Sequence, residues 1–238
     1  MSLVENSSAG SPSTRYREIE VSGRPADMGR AIGEAAREEI RGFVEVAVEQ
    51  VNKSVRVSRR KALEVAASCV PLVESYAPDM LAELRGTSES AGVSLDDLML
   101  LQVRNQLKPE KETGCSGFSL SPPVNATRRS FLGQNWDNDP ALDAFNVVLT
   151  RRPRGKPALM NLTQAGLIAY IGLNEAGIGV CLNTLPAPSR AVGVPHYFTV
   201  RGIYEATSLV GAVSAVRRAR RAIPANILMS TPQGPADL

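Results

Sequence analysis

The sequence predicts an α+β fold whose first half is helical and whose second half is built from short strands. Three observations carry that prediction. Apolar residues recur at helical spacing from Met28 onward, with Arg and Glu on the opposite face. Beyond Ser116 the pattern changes to short apolar runs separated by turn residues. The change falls at Thr113-Gly114-Cys115-Ser116-Gly117-Phe118, where a nucleophile type stands directly behind a glycine.

Residues 1–14 are rich in Ser, Gly and Pro and hold no apolar run, the composition of a disordered tail and not of a signal peptide. Arg15–Val21 alternates and predicts a short strand. From Pro25 the period becomes helical, through Met28, Ile32, Ala36, Ile40, Phe43, Ala47 and Val51. Ser58 is placed to cap a second helix with Leu63, Ala66, Val70, Val73 and Tyr76 inward and a kink expected at Pro71. Pro78 suits the first turn of a third helix that buries Met80, Leu81 and Leu84 and stops before Gly92. Ser94 with Asp97 three residues on resembles a capping box ahead of Leu95, Leu98 and Leu101. Residues 15–114 thus form a mainly helical segment, ending in a charged connector over 108–114 with no apolar anchor.

Residues 115–238 read differently. Strands are expected at Ser116–Ser121, Phe131–Asp137, Asn146–Arg151, Ala158–Thr163, Gly166–Gly172, Ile178–Thr184 and Ala225–Ser230. Pro122-Pro123-Val124-Asn125 and Asn174-Glu175-Ala176-Gly177 have hairpin chemistry, so the sheet should be antiparallel. Helices are expected at Tyr197–Ala206 and Ser208–Ala222. Thr231 to Leu238 has turn chemistry with no strand to follow, which leads us to expect a truncated version of a longer chain.

Composition narrows the function. A net charge of +3 is far milder than that of a dedicated nucleic-acid binder. No apolar run approaches membrane-spanning length. The three cysteines, Cys69, Cys115 and Cys181, form no CxxC or Cys/His cluster, which argues against a disulfide framework or structural zinc. A soluble protein of a reducing, cytoplasmic compartment is expected, with no cofactor or metal. His196 is the single histidine, so any Ser-His or Cys-His pair would have to use it.

Cys115 has two readings. If the Gly114–Cys115 bond is cut, Cys115 gains an α-amine of pKa about 7.7–8.0, able to accept its own thiol proton without a histidine. Glycine on the acyl side leaves the carbonyl open to attack by that thiol. Otherwise Cys115 is an inert cysteine that opens a strand. Asp137 lies 22 residues on, at the end of a strand able to pair with the one behind Cys115. It can orient the new amine, or be a turn carboxylate before Asn138-Asp139-Pro140. Asn183, closing the run Gly179 to Asn183, can offer an amide to an oxyanion or simply end a strand. Trp136 suits a core or pocket wall, Cys181 the core, and His196 a helix start. Arg217, Arg218, Arg220 and Arg221 can bind an anion such as a coenzyme phosphate or form a solvated helix end.

Taken together, Gly114-Cys115-Ser116 and Gly133-Gln134-Asn135-Trp136-Asp137 resemble acyl-coenzyme A:aminopenicillanic acid acyltransferase, also called isopenicillin-N acyltransferase. Asn174-Glu175-Ala176-Gly177, the run around Asn183, and Gly193-Val194-Pro195 leading into a helix with Arg201 follow in the same order. The resemblance implies an N-terminal-nucleophile hydrolase of the bile-salt-hydrolase kind, an αββα sandwich of antiparallel sheets behind a helical pro-segment. It makes Cys115 the processing and catalytic nucleophile, Asp137 the support of the new amine and Asn183 an oxyanion-hole residue. It also implies that the small and large chains stay associated after self-cleavage, with acyl-coenzyme A possible as a substrate. The family continues to a His-Thr-Asn-His-like segment and an active-site Arg, and residues 185–238 match neither.

The leading expectation is therefore a self-processing cysteine amidohydrolase or acyltransferase acting on a small linear amide or acyl thioester through an acyl-Cys115 intermediate. The alternative is a truncated, inactive homologue that binds a ligand or partner. A nucleic-acid or coenzyme-phosphate binder acting through Arg217–Arg221 ranks third.

Overall fold

The computed structural model describes residues 15–55, 57–107, 114–122, 126–185 and 190–238. The expected tail at 1–14, most of the connector before Gly114 and the middle of the Pro122–Asn125 turn lie outside the described residues.

The chain is a mixed α+β structure. Its order is β1 (Arg17–Gly23), α1 (Pro25–Ala35), α2 (Arg37–Val55), α3 (Arg59–Tyr76), α4 (Pro78–Ala91) and α5 (Leu95–Val103), then β2 (Ser116–Leu120) and β3 (Phe131–Asn135). There follow β4 (Asn146–Pro153), β5 (Leu159–Gln164), β6 (Ile171–Asn174), β7 (Gly179–Thr184), α6 (His196–Tyr204), α7 (Leu209–Arg218), β8 (Ala225–Thr231) and β9 (Gly234–Asp237).

Several helix ends follow from local chemistry. Ser58 Oγ accepts from Lys61 N at 3.3 Å, and Ser94 Oγ accepts from Asp97 N at 3.0 Å while donating to the Asp97 carboxylate. Gly92 ends α4 in the left-handed region at φ 69°. Pro71 stands inside α3 without ending it. The apolar stripe from Met28 to Ala47 is buried, but Ala36, at φ −113° and ψ 30°, breaks the run into α1 and α2. The inward face of α3 is centred on Ala62, Val65, Ala66, Cys69 and Val73, rotated from the expected set, with Leu63, Val70 and Tyr76 at its edge. Packing of α1 on α4 is set by glycines. A Cβ on Gly29 would lie 1.9 Å from the Glu83 carbonyl oxygen, and one on Gly86 2.3 Å from that of Ala26. The two backbones touch, and no larger residue fits.

The main sheet has seven strands in the order β1-β4-β5-β6-β7-β8-β9. All neighbours are antiparallel except β1, which runs parallel to β4 with Ile19 opposite Leu149. The helical segment thus contributes an edge strand to the sheet, and both halves share one core: Met28, Ile40 and Leu98 pack with Val147, Leu149, Tyr197 and Phe198. A second cluster joins α6 and α7 to the same face through Val180, Leu182, Val200, Ile203, Ile227 and Met229. On the opposite face lies the two-stranded sheet of β2 and β3, packed against β7 and β8.

Two strand expectations need correction. Of Gly166–Gly172, only Ile171 onward is strand. Gly166 turns at φ 93°, and the following residues cross the core as a loop. The run is apolar because it is buried, but side chains and not a ladder satisfy its backbone. Gln102 Nε2 donates to Gly166 O at 2.8 Å and Gln102 Oε1 accepts from Ile168 N at 3.2 Å. Arg151 and Arg201 donate to Leu167 O and Ile168 O. The second correction is the end of the chain. Residues 234–237 are not an unpartnered turn but β9, a hairpin partner of β8 with Ser230 opposite Pro235. Pro235 is tolerated because β9 is an edge strand, and Thr231 Oγ1 ties the turn to Gln233 N and Gly234 O.

At the centre of the molecule Glu83 of α4, Arg151 of β4 and Arg201 of α6 form a buried ion cluster, each 1–2% exposed. Arg151 Nε lies 2.7 Å and Arg201 NH2 3.2 Å from the Glu83 carboxylate. Burial alone would raise the Glu83 carboxyl, but Arg201 and Arg151 hold it below the usual range. Burial also brings the Arg151 guanidinium down to about 10. The cluster ties the segment before Cys115 to the segment after it.

Candidate active site

The β2–β3 pairing sets Ser116 opposite Asn135 and Gly117 opposite Gln134. Continued by two residues, the same register brings Gly114 and Cys115 beside Trp136 and Asp137. A Cβ on Gly114 would lie only 2.5 Å from Asp137 Oδ2, so a side chain there would displace the exposed carboxylate from its place beside the junction. The Cys115 thiol is 3.9 Å from the main-chain oxygen of Asp137.

Asn183 reaches the site from the main sheet. Side chains alternate faces along β7, so Leu182 points into the helical core and Asn183 toward the hairpin. Its Nδ2 donates to the Cys115 carbonyl oxygen at 2.8 Å. Gly114, Cys115, Asp137 and Asn183, singled out in the sequence, are therefore brought to one place.

Gln134, to which the sequence assigned no separate role, fastens the hairpin. Its amide accepts from Leu182 N at 3.0 Å and donates to Leu182 O at 2.7 Å. Here β6 has already ended, so Leu182 has no strand neighbour on that side, and the side chain replaces it. Asn135 Nδ2 donates to Ser116 Oγ at 3.0 Å, and Ser119 Oγ to Met229 O at 3.4 Å.

Behind Cys115 stands an aromatic group in which Trp136, expected in a core or pocket wall, and His196, expected at a helix start, meet Tyr170 and Tyr197, which the sequence did not single out. The Trp136 and Tyr170 rings are 5.0 Å apart, Tyr170 and Tyr197 5.5 Å, and His196 and Tyr197 3.8 Å. Arg104 lies over Tyr197 and Phe43 at 5.4 and 4.9 Å. Burial, with Tyr197 beside it, pushes the Tyr170 phenol well above its ordinary range. Burial, with Arg104 nearby, drives the His196 imidazole down to about 3, which leaves it a weak base. Among the described residues no hydrogen bond joins His196 to Cys115.

The cysteines differ in access. Cys69 and Cys181 are buried, and burial pushes the Cys181 thiol up to about 11, whereas Cys115 is partly exposed. The four arginines near the end of α7 also separate. Arg218 stacks over Tyr76 at 5.1 Å, whereas Arg220 and Arg221 lie beyond the helix and line a cavity beside α6. Among the described residues no group of three His, Cys, Asp or Glu side chains is arranged to hold a metal ion, and no helix is long and apolar enough to cross a membrane.

The sequence model of a family described as acyl-coenzyme A:6-aminopenicillanic acid acyl-transferase matches residues 124–236, a span that holds Asp137 and Asn183 and begins beyond Cys115. A curated relative, the acyl-coenzyme A:6-aminopenicillanic-acid-acyltransferase 40 kDa form of Emericella nidulans, is 25% identical over 190 residues, covering 78% of this chain and 52% of its own length. A span of that length takes in residues 114–183 wherever it begins. The chain covers about half the length of this relative.

Proposed function

We propose that this chain, a relative of the acyl-coenzyme A:6-aminopenicillanic acid acyl-transferase family, cuts its own Gly114–Cys115 bond. It then uses the freed Cys115 as the nucleophile of an acyltransferase or amidohydrolase. The observation that carries the reading is that the Asp137 carboxylate lies beside Gly114 and the Asn183 amide holds the Cys115 carbonyl, on either side of the bond to be cut.

Processing begins when the Cys115 thiol attacks the Gly114 carbonyl carbon. The peptide C–N bond breaks as the C–S bond forms, and the proton lost by sulfur ends on the released amine. Water then opens the thioester, leaving a Gly114 carboxylate and a Cys115 that carries both thiol and α-amine. Glycine at 114 suits this step because it leaves the Asp137 carboxylate its place beside the bond and the carbonyl open to the thiol. The same carboxylate lies where it can hold the new ammonium close to the sulfur.

Turnover repeats the chemistry on a second acyl group. The α-amine, with a pKa of about 7.7–8.0, takes the thiol proton, sulfur attacks the substrate carbonyl, and the amine or thiol leaving group takes the proton back. The acyl group passes from Cys115 to water or to an amine. Asn183 uses one N–H on the Cys115 carbonyl and retains a second for the oxyanion. An acyl-coenzyme A donor and an amine acceptor are consistent with the relative's printed name.

The layering supports an N-terminal-nucleophile sandwich: helices, a sheet, and a second antiparallel sheet stacked on it with the nucleophile at its first strand. Association of the two pieces after cleavage is supported by the Glu83 cluster and by β1, which joins the segment before Cys115 to the main sheet.

Intact mass of wild type beside Cys115→Ala tests the reading. Two pieces meeting at Gly114 and Cys115 from wild type alone are expected. One uncut chain from both proteins refutes self-processing, and turnover retained in Cys115→Ala refutes the nucleophile.

A further inference from the structure

On the helix-facing side of β7, away from Cys115, α6, the end of α7 and β8 line the cavity that holds Arg220 and Arg221, of about 430 Å3. That size falls within the roughly 300–1,000 Å3 of small-molecule sites. Its floor is apolar, built from Leu182, Val200, Val216 and Ile227.

The rim is different. Arg190, Arg220 and Arg221 line it together, and among the described residues none of them is ion-paired. Their backbones are held in a fixed frame. Arg190 N donates to Ala222 O at 2.6 Å, Val194 N to Arg220 O at 2.7 Å, and Ala222 N to Val194 O at 3.3 Å. Two further wall atoms lack partners: the hydroxyl of Thr199, a residue 2% exposed, and Nδ1 of His196. A buried polar atom left unpaired costs about 1–3 kcal/mol, and the three exposed guanidinium groups at the rim have donors free for an anion. A ligand with an anionic head and a short apolar body meets both and fills the floor.

We propose that this cavity binds a small amphipathic anion, an acyl or aryl body ending in a carboxylate or phosphate, at a site separate from Cys115. Arg190, Arg220 and Arg221 hold the head and the Thr199 hydroxyl donates to it, while the body lies against Leu182 and Ile227. The proposal does not depend on turnover at Cys115 and is read by binding alone.

Calorimetric titration of the whole chain with octanoate, octyl phosphate, octanol and inorganic phosphate tests it. At least one of the two anions should bind saturably, and the better of them identifies the preferred head. An Arg220→Ala/Arg221→Ala double variant should bind that anion about tenfold more weakly or worse. Both side chains are exposed, and an unchanged melting temperature would confirm that the variant is folded. Octanol and inorganic phosphate should each bind at least about tenfold more weakly than the better anion, since each lacks one half of the recognition. Cys115→Ala should bind like wild type. Absence of saturable anion binding, or equal affinity in the double variant, overturns the proposal. So does octanol or inorganic phosphate binding as tightly as the anion, or loss of binding in Cys115→Ala.

Discussion

The buried cluster of Glu83, Arg151 and Arg201 and the junction at Gly114–Cys115 both bring together groups far apart in the chain, but they are held in opposite ways. Glu83 is sealed among three elements, and each of its two arginines also donates to a core carbonyl. The junction is at the surface, with Gly114 and Asp137 exposed and Cys115 partly so, and it is held by one hydrogen bond from Asn183 and, through the hairpin, by the two that Gln134 makes to Leu182. Burial is concentrated where no chemistry is proposed. The place where a bond is proposed to break is open to water.

Breaking each side separately tests that contrast. The largest effect is expected from Glu83→Ala, which leaves two buried guanidinium groups without their carboxylate. Removing one partner of a buried pair costs about 3–5 kcal/mol, measurable as a lower urea midpoint. A cost below about 1 kcal/mol, in the range of surface pairs, would show that the cluster is no clamp. Asn183→Ala should leave the fold nearly unchanged while slowing acyl transfer about 10²–10³-fold. Equal losses of stability and rate would instead make Asn183 a structural residue.

Gln134→Ala removes both partners of the Leu182 backbone and should cost about 1–3 kcal/mol. Faster amide exchange at Leu182, with protection in α4 unchanged, would show that the hairpin loosens alone. Gly114→Ala sets a methyl group against the Asp137 carboxylate, which must swing aside, and should slow processing with little loss of stability; a normally cut variant would show that the carboxylate's place beside Gly114 is not needed.

Acid should affect the two regions in sequence. His196 has a folded pKa of about 3, below its ordinary 6.5, so the unfolded chain takes up the proton first as pH falls. Its contribution is complete above pH 6.5 and is lost from there downward, by at most about 1.4 kcal/mol per pH unit. The Glu83 contribution, with a depressed carboxyl pKa, is complete above its ordinary 4.5 and fades only as pH falls through the folded value. Urea midpoints should therefore decline between pH 6.5 and 5 in wild type and stay flatter in His196→Gln. An identical decline in the variant would remove His196 as the cause.

Much of this was legible in the residues, and for identifiable reasons. Ser58, Ser94 and Gly92 mark helix ends because capping is decided within a few residues. The approach of Asp137 to Cys115 was legible too, since two neighbouring strands joined by a short link tend to pair. The break at Ala36 left no trace, because the apolar stripe runs through it unchanged. Residues 166–170 misled because apolar character reports burial and not the ladder, and the partners of their backbone are Gln102, Arg151 and Arg201. β9 was missed because Gly234-Pro235-Ala236-Asp237 has no strand propensity, and its pairing is imposed by the preceding turn and by β8.

By itself the sequence determined the period of most elements, many of their ends, and a nucleophile set behind a glycine at the boundary between two patterns. Only the tertiary structure decided that Asn183 meets the Cys115 carbonyl, that Gln134 completes the edge of β7, and that one glutamate holds two arginines in the core. Period and capping are properties of neighbours along the chain. A partner 68 or 118 residues away is chosen by which faces are buried together, and that choice exists only after the layers have packed.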